Sequence, residues 1–475
     1  MRFLLLLVTA FISLTASSQT SFEYVLQTPE DQIPGSMLED ANGNIICTVS
    51  NLENALFIKL DRYGNLTDSL RLLNPDGTCE LMELVRINDS SFAAFGNYMI
   101  GEDPHLWFVK FDFDLSILIN NKIPVEYPLA SLETHAILNS QNNLVVASAY
   151  KISGNNQDIT LFEINQNGML ITTKTFQDPI LNFPTEIIFD SLNSIYKVFI
   201  LHPYQRVSPS LLNLDTDFNI INQAPYFTEF IDDQNSAKWL NDTSYILTGK
   251  RVYNGQFFLG ILRVINDYVV DTACLGDINI VDWPGIHDNL DFIYPGSIYY
   301  VGFQCLFIPN NFIEAPSHIV VNKLNSDLKL SWQKYFGGDA YYMVKSIIAT
   351  LDSGVVIASS RYDYLTQNME RDVYIFKVNK HGLITGVDDA HETAISEVLV
   401  YPNPGQDMMN IQLEDQHSKA LIRIYDISGS LVVYKELTGG TTQIDMAGFP
   451  AGVYIYRITN KSGEFVETVK VMKNK

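Results

Sequence analysis

The sequence predicts an all-β protein in which a seven-bladed β-propeller is followed by a small, immunoglobulin-like β-sandwich. Three observations carry this prediction. A strand-and-turn pattern recurs with a period of about 50 residues, which is typical of propeller blades. Aromatic residues make up 12% of the chain, and they favour strands. The repeat then stops, and shorter strands separated by turn residues fill the last 80 or so positions, as in a small sandwich.

The recurring pattern is an apolar strand that ends in a polar turn. It is clearest at Leu56–Asp61 with Arg62–Asn65, and at Asp372–Asn379 with Lys380–Gly382. The residue that ends the strand is always Asp or Asn, and these residues favour turns. Its successive positions are Asp61, Asp112, Asn165, Asp215, Asn266, Asn325 and Asn379.

Each repeat divides into four predicted strands, except that the seventh lacks a clear fourth strand. An unpaired strand remains at the front of the chain, at Phe22–Gln27. We expect this strand to complete the last blade, because that pairing closes the ring and removes an open sheet edge. The alternative is that the segment forms a disordered N-terminal tail.

Composition and charge narrow the class of protein. Hydrophobic residues make up 47% of the 475 residues and charged residues only 18%, so the chain has enough apolar side chains for a large core. The net charge of −23 repels phosphate backbones and argues against a nucleic-acid partner. Residues 1–18 have the charged start, apolar core and small terminal residues of a signal peptide. No other apolar run is long enough to span a membrane.

The cysteines and histidines give no sign of a cofactor or a metal. Four cysteines allow three disulfide pairings, and the sequence does not choose among Cys47, Cys79, Cys274 and Cys305. None of them has a second Cys or a His at the spacing of a zinc site. We therefore expect no cofactor and no metal.

The C-terminal region carries a specific resemblance. Val400–Pro404, Ile424–Gly429 and Ala451–Ile458 occur in the order seen in the type A C-terminal sorting domain of the type IX secretion system, which this region resembles. The resemblance implies Sec export, contact with the type IX machinery, and passage to the surface or exterior of a Gram-negative bacterium. It places the sorting motif on Tyr401, Pro402, Asn403, Pro404, Gly429, Gly452 and Tyr454.

The predicted domains are therefore a signal peptide at 1–18, a propeller at 19–388, a linker at 389–396 and a sorting domain at 397–475. In each blade the second-to-third loop and the connection to the next blade lie on one face, and here those segments are long. Rigid scaffolds usually carry binding residues on such loops. The predicted contact residues combine aromatic rings with Arg, as glycan or protein recognition requires: Trp283, His287, Phe312, Tyr362 and Arg371.

No sequence motif of a known catalytic class is present, so we interpret the protein as a non-enzymatic surface or secreted module for binding and adhesion. A secreted polysaccharide-degrading hydrolase or lyase is the first alternative, and a structural surface protein is the second. Converging acidic and histidine side chains in the central channel would favour the enzyme. The first strands offer a mixed set with no obvious pair: Glu39, Glu83, Arg86, Glu133, His135, Glu186, Lys238, Asp291 and Lys345.

Overall fold

The structure is a computed structural model of the whole chain. It describes residues 20–473 except 52, 76, 131–133, 154–155, 178–182, 202–209, 226–229, 277–279, 306–312, 367–369, 385–397, 402–406, 414–418, 427–430, 439 and 461–464. The described part is built from β-strands, and it divides into two compact units, residues 1–388 and 389–475. The predicted signal peptide lies outside the described residues.

The described residues of the first unit form seven antiparallel sheets, which are the seven predicted blades. Blade 1 contains β2 (Ile33–Glu39), β3 (Ile45–Ser50), β4 (Asn54–Leu60) and β5 (Leu66–Leu73). Blade 2 contains β6 (Cys79–Asn88), β7 (Ser91–Ile100), β8 (Asp103–Asp112) and β9 (Ile117–Pro124). Blade 3 contains β10 (His135–Leu138), β11 (Leu144–Ser153), β12 (Asn156–Ile164) and β13 (Leu170–Phe176).

Blades 4 to 7 continue the same order along the chain. Blade 4 contains β14 (Phe183–Asp190), β15 (Ile195–Leu201), β16 (Ser210–Leu214) and β17 (Ile220–Pro225), and blade 5 contains β18 (Asp233–Asn241), β19 (Ser244–Tyr253), β20 (Gln256–Ile265) and β21 (Tyr268–Leu275). Blade 6 contains β22 (Val281–Pro284), β23 (Leu290–Asp291), β24 (Ile298–Cys305), β25 (His318–Leu324) and β26 (Leu330–Gly337). Blade 7 contains β27 (Tyr341–Ala349), β28 (Val355–Tyr362) and β29 (Asp372–Val378), together with β1 (Phe22–Leu26).

Strand β1 closes the ring, as predicted. It pairs antiparallel with β29 from Phe22 opposite Lys377 to Leu26 opposite Val373. The Phe22 ring also lies against the turn that ends the third strand of blade 1. Gly64 in that turn has φ of 86°, and a Cβ there would lie 2.5 Å from Phe22 Cγ. The glycine therefore provides both the left-handed backbone of the turn and the space for the closing strand.

Seven hydrophobic clusters lie between successive blades in the described residues, one at each interface around the ring. The cluster between blades 7 and 1 shows how they are built. Phe22 and Val356 from blade 7 pack there with Ile45 and Ile58 from blade 1. The apolar surface that each sheet buries against its neighbours is the main stabilising contribution to such a ring.

The turn residue that marks each repeat has a common hydrogen-bond pattern. Asp61 Oδ1 accepts hydrogen bonds from the backbone N–H groups of Tyr63, at 2.8 Å, and Asn65, at 2.9 Å. Such a side chain stabilises the turn locally. Blade 5 departs from this pattern, because Asn266 and Asp267 both have positive φ, as in a two-residue hairpin turn. The same two-bond pattern recurs at Asp112, Asn165, Asp215, Asn325 and Asn379.

The second unit contains two antiparallel sheets that share one hydrophobic cluster, which is the arrangement of a small sandwich. Met409 and Ile444 contribute from one sheet, and Ile422, Tyr456 and Val471 from the other. The immunoglobulin-like part of the prediction stays a prediction. The strands are β30 (Val398–Tyr401), β31 (Met408–Leu413) and β34 (Gly440–Asp445), and β32 (Lys419–Asp426), β33 (Leu431–Thr438), β35 (Gly452–Asn460) and β36 (Phe465–Lys473).

Two further sequence expectations can be compared with the described residues. Cys47 and Cys79 are buried free thiols, and Cys274 is an exposed free thiol. The side chain of Cys305 lies outside the described residues, so its state stays open. Within the part of the chain that the structure describes, no helix is both long and apolar enough to cross a membrane.

We expect the closing strand to carry measurable stability. Phe22 is 5% exposed, whereas Val25 on the same strand is 40% exposed. Phe22→Ala should lower the free energy of unfolding by about 3 kcal/mol, the usual cost of truncating a buried Phe. Val25→Ala is the matched control and should change it by less than about 0.5 kcal/mol. Chemical denaturation followed by tryptophan fluorescence measures both values, and equal effects would contradict the closure.

A buried ion pair beside the closing strand predicts that the stability of the protein depends on pH. Lys377 Nζ lies 2.9 Å from Asp352 Oδ2, and the two side chains are 2% and 8% exposed. Asp352 also accepts hydrogen bonds from the Thr20 backbone N–H and the Thr350 hydroxyl. Burial alone would raise the pKa of Asp352, but the hydrogen bonds from Thr350 and Lys377 lower it to about 2.

Asp352→Asn should therefore lower the free energy of unfolding by about 3 kcal/mol at pH 7, because it leaves Lys377 buried without its counter-charge. The folded pKa lies below the unfolded value, so the carboxylate stabilises the protein above about pH 4 and loses that effect as the pH falls toward 2. The difference between wild type and variant should shrink over that interval in denaturation measured at several pH values. A constant difference would contradict this assignment.

Candidate functional site

The innermost strand of most blades contains a β-bulge near its middle. The pairing register with the second strand shifts just before Glu83 in β6, Glu186 in β14, Ser236 in β18 and Ser346 in β27, and between Pro34 and Met37 in β2. A bulge re-aims the side chains next to it, and bulges are common beside functional sites. Blade 6 goes further, because its innermost strand is interrupted between β22 and β23.

These irregularities bring polar groups from different blades together around the propeller axis. Ser346 Oγ donates to the Gly35 carbonyl at 2.6 Å, which links blade 7 to blade 1. Ser236 Oγ of blade 5 donates to the His287 carbonyl at 3.1 Å. Five titratable side chains lie within this ring of contacts, and we call them the axial cluster: Glu83, His135, Glu186, His287 and Asp288.

Two imidazole rings form the centre of the axial cluster. His135 and His287 are stacked, with ring centroids 4.6 Å apart and 25° between their planes. His287 Nε2 lies 3.0 Å from Glu83 Oε2 and 3.7 Å from Asp288 Oδ2. His135 Nδ1 lies 4.0 Å from Glu186 Oε1. Each histidine therefore has a carboxylate contributed by another blade.

Backbone N–H groups of the innermost strands hold the two glutamates in place. Glu83 Oε1 accepts a hydrogen bond from the Ala136 N–H at 3.1 Å, while its other oxygen contacts His287. Glu186 accepts from the Ile187 and Ala237 N–H groups at 3.0 and 3.4 Å. Since these donors belong to the sheets themselves, the carboxylates are positioned by the fold and not by flexible loops.

Burial and mutual charge perturb the acid–base behaviour of this cluster. Burial raises the pKa of Glu83 to about 7, against the hydrogen bond from His287, which lowers it. Burial, together with the charges of Asp288 and Glu83, raises the pKa of Glu186 well above its usual value. Such perturbed carboxylates occur most often at functional sites.

The two histidines are shifted in opposite directions. Burial lowers the pKa of His135 well below its usual value, and the charge of His287 lowers it further. Burial would also lower the pKa of His287, but the charge of Asp288 and the hydrogen bond with Glu83 raise it to about 9. At neutral pH the stacked pair therefore combines a neutral imidazole with an imidazolium, a combination that can both accept and donate a proton.

A cavity of about 510 Å³ opens beside the cluster, among the innermost strands of blades 2 to 5. Its wall includes Ser191 in the turn after β14, so it lies at the face that carries the short first-to-second turns. Glu186 lines the cavity and also belongs to the axial cluster. The cavity therefore connects that face of the propeller with the cluster on the axis.

Cationic and aromatic groups line the same cavity. Arg86 donates to the Glu39 carbonyl and lies 4.9 Å over the Phe113 ring. Lys238 forms an ion pair with Asp291. The indole N–H of Trp239 is buried and has no hydrogen-bond partner among the described residues. The wall thus offers an aromatic surface, the Arg86 cation and the Lys238–Asp291 ion pair.

The residues predicted to form a contact patch on the long loops are not gathered into an exposed surface. Tyr362 is 2% exposed in the cluster between blades 6 and 7, and Trp283 packs against that cluster. Arg371 is 6% exposed and donates to Asp31 from its Nε at 2.8 Å. These groups stabilise the blades, so the expectation that Tyr362 and Arg371 are exposed is wrong. Their part in ligand binding stays a prediction.

The other two predicted contact residues are Phe312 and His287. Phe312 lies outside the described residues. His287 is 5% exposed and belongs to the axial cluster, not to a loop surface. The sixth repeat is longer than the others, and its extra residues were expected to lie in loops. In the structure, some of these residues interrupt the innermost strand, and this interruption places His287 and Asp288 on the axis. The run of polar residues His287, Asp288 and Asn289 in a strand position is the signal that could have indicated this.

The channel residues named from the first strands are partly confirmed as a group. Glu83, His135 and Glu186 meet on the axis, whereas Lys238 and Asp291 pair with each other beside the cavity. Glu133 lies outside the described residues. The sequence does not show which of these side chains contact one another, because the partners come from different blades.

Of the predicted sorting residues, Tyr401 is in β30, Gly452 and Tyr454 are in β35, and Pro402, Asn403, Pro404 and Gly429 lie outside the described residues. Tyr454 is buried, and its hydroxyl donates to the Pro450 carbonyl at 2.8 Å. Comparison with protein families matches residues 399–473 to the secretion system C-terminal sorting domain. This region therefore belongs to the type IX sorting domains, and the chain is a secreted or cell-surface protein exported by that system.

Comparison with curated proteins gives no match. Solved structures similar to the chain include Drosophila semaphorin 2a, with 7% identity, a TM-score of 0.49, and coverage of 96% of this chain and 98% of that one. The WD40 domain of Toxoplasma gondii coronin has 8% identity, a TM-score of 0.43, and coverage of 78% and 89%. A neuraminidase-like protein from A/bat/Guatemala/164/2009 has 11% identity, a TM-score of 0.37, and coverage of 65% and 90%.

Truncation after Asp388 should separate export from folding. Each unit has its own hydrophobic core, so the truncated propeller should keep a wild-type melting temperature. Without the sorting domain it should remain in the periplasm of its host, as cell fractionation and surface protease treatment would show. Display of the truncated protein on the cell surface would contradict the role of residues 399–473.

Proposed function

We propose that the propeller is a non-enzymatic binding module that recognises a glycan at the short-turn mouth of its channel. The observation that carries this proposal is the cavity of about 510 Å³ between blades 2 and 5. Its volume lies in the range of about 300–1,000 Å³ that is usual for small-ligand sites. The site is open to solvent, and a volume of this size accommodates one or two sugar units.

The cavity wall has the chemistry that saccharide binding requires. Trp239 offers an apolar ring surface to the cavity. Aromatic faces pack against the C–H groups of sugar rings. Arg86 adds positive charge, which favours a sugar that carries an acidic group, whereas the charge of Lys238 is paired with that of Asp291.

This proposal moves the binding surface from the long-loop face to the opposite one. The reason is burial, since two of the residues expected on the long-loop face are core or ion-pair residues. Innermost strands of four blades form the wall of the short-turn cavity, so the site is rigid. A pre-formed site binds without the cost of ordering its own loops.

The axial cluster favours a second candidate, a secreted polysaccharide-degrading enzyme. Glu83 and Glu186 have raised pKa values, and a neutral and a protonated imidazole lie beside them. Groups of this kind perform general acid and base catalysis. Release of reducing ends from acidic polysaccharides by the purified protein, abolished in Glu186→Gln, would establish the enzyme in place of the binding module.

The binding proposal is tested with two matched tryptophan variants on a glycan array and by titration with the best array ligand. Trp239→Phe replaces the indole in the cavity wall with a smaller ring, and should weaken binding by about 2- to 5-fold, a part of the roughly 0.5–1.5 kcal/mol that one aromatic contact contributes. Trp283→Phe is the control, because it makes the same change in blade 6, outside the cavity wall.

Unchanged binding by Trp283→Phe, with weaker binding by Trp239→Phe, is the expected result. The reverse pattern would return the site to the long-loop face. Absence of any glycan ligand across neutral and acidic sugars would overturn the binding proposal itself. Melting temperatures of both variants within a few degrees of wild type confirm that only the site has changed.

A further inference from the structure

We propose that His135, His287 and Asp288 on the propeller axis form a binding site for a divalent transition-metal ion, with zinc as the reference ion. Their ligand atoms all lie within 4.8 Å of one another. His135 opens the innermost strand of blade 3, and the other two come from the interruption in blade 6. The proposal does not depend on glycan binding, because it concerns the channel and not the cavity wall.

The chemistry of the donor set selects the class of metal. Two imidazole nitrogens and one carboxylate suit Zn²⁺ and the neighbouring transition ions, whereas Mg²⁺ and Ca²⁺ prefer sites made of oxygen alone. Zinc bonds to these donors are about 2.0–2.2 Å long. Donor atoms within 4.8 Å of one another therefore need to move inward by only a fraction of an ångström each.

An unused nitrogen provides an independent indication of a ligand. His287 is 5% exposed, and its Nδ1 is buried without a hydrogen-bond partner among the described residues. Its other nitrogen is taken by Glu83 at 3.0 Å. A buried polar atom that lacks a partner costs free energy, so such atoms are rare unless something binds them. A metal ion that displaces the proton from this nitrogen would supply the missing partner.

The surrounding carboxylates match the outer shell of a histidine metal site. Histidine ligands usually pass the hydrogen of their second nitrogen to a carboxylate, which fixes the ring orientation. Glu83 stands in that relation to His287, and the Ala136 N–H holds the other Glu83 oxygen. We assign Glu83 as a positioning residue and not as a ligand. Glu186 Oε1 lies 4.0 Å from His135 Nδ1, where a nearby dication would favour the charged form of this carboxyl group.

Zinc binding is measured on the full mature chain, purified without a polyhistidine tag and stripped with a chelator. Isothermal titration with Zn²⁺ should give one bound ion per chain, and Co²⁺ should give visible absorption bands of a nitrogen-containing site. The ion should also raise the melting temperature, because it binds the folded state only. Mg²⁺ and Ca²⁺ at the same concentrations should give none of these signals.

Variants then locate the site. His135→Gln and His287→Gln should each weaken Zn²⁺ binding by more than about 100-fold, and Glu83→Gln by about 10- to 100-fold, as for outer-shell residues. His318→Gln is the matched control, because this histidine is half-buried but lies outside the cluster, and it should bind as wild type does. X-ray absorption of the zinc-loaded wild type should show scattering from two imidazoles, which keeps the test decisive if a variant does not fold.

Three results would overturn the site. They are no stoichiometric Zn²⁺ or Co²⁺ at concentrations up to about 100 μM, an absorption spectrum without imidazole scattering, and wild-type affinity in both histidine variants. Loss of glycan binding has no bearing on any of them, so failure of the metal site and failure of the proposed binding function are distinguishable.

Discussion

The pairing of β1 with β29 joins residue 22 to residue 377, and the interior of the propeller depends on that contact. Each blade buries its two faces against two neighbours, and seven hydrophobic clusters fill the seven interfaces. If the first and last blades part, one cluster is exposed directly and the blades on both sides are free to move. Closure is therefore a condition for the geometry of the channel as well as for stability.

The axial cluster exists only because the ring is closed. Its members come from blades 2, 3, 4 and 6. The contact of His287 with Glu83 and its contact with His135 each join two different sheets. Burying Glu83, His135 and His287, with Glu186 and Asp288 partly buried beside them, costs free energy that apolar residues at the same positions would not cost. The sheets compensate in part, through backbone N–H groups that hold Glu83 and Glu186. A fold that tolerates this cost at its centre indicates that the cluster has a function beyond stability.

The two compact units divide the work of the protein. The C-terminal unit has its own core and belongs to the type IX sorting domains, so it accounts for export without involving the propeller. The propeller contains the cavity, the axial cluster and the perturbed acid–base groups. Its long-loop face, which aromatic and Arg residues indicated as a binding surface, instead uses Tyr362 and Arg371 to stabilise the junction of blades 6, 7 and 1.

The blade count, the closing strand and the sorting domain could be predicted from the amino-acid sequence, because recurring local patterns and motifs indicate them. An Asp or Asn that accepts from the backbone two and four residues later marks a turn wherever it occurs, as at Asp61 and Asn379. The axial cluster could not be predicted in this way, because it depends on tertiary contacts. Glu83, His135 and His287 are far apart in the chain, and bulges that do not follow from residue type alone turn them toward one axis. The burial of individual side chains could not be predicted from local sequence either. Arginine is usually exposed, but the fold places Asp31 beside Arg371, and the two side chains form a hydrogen bond.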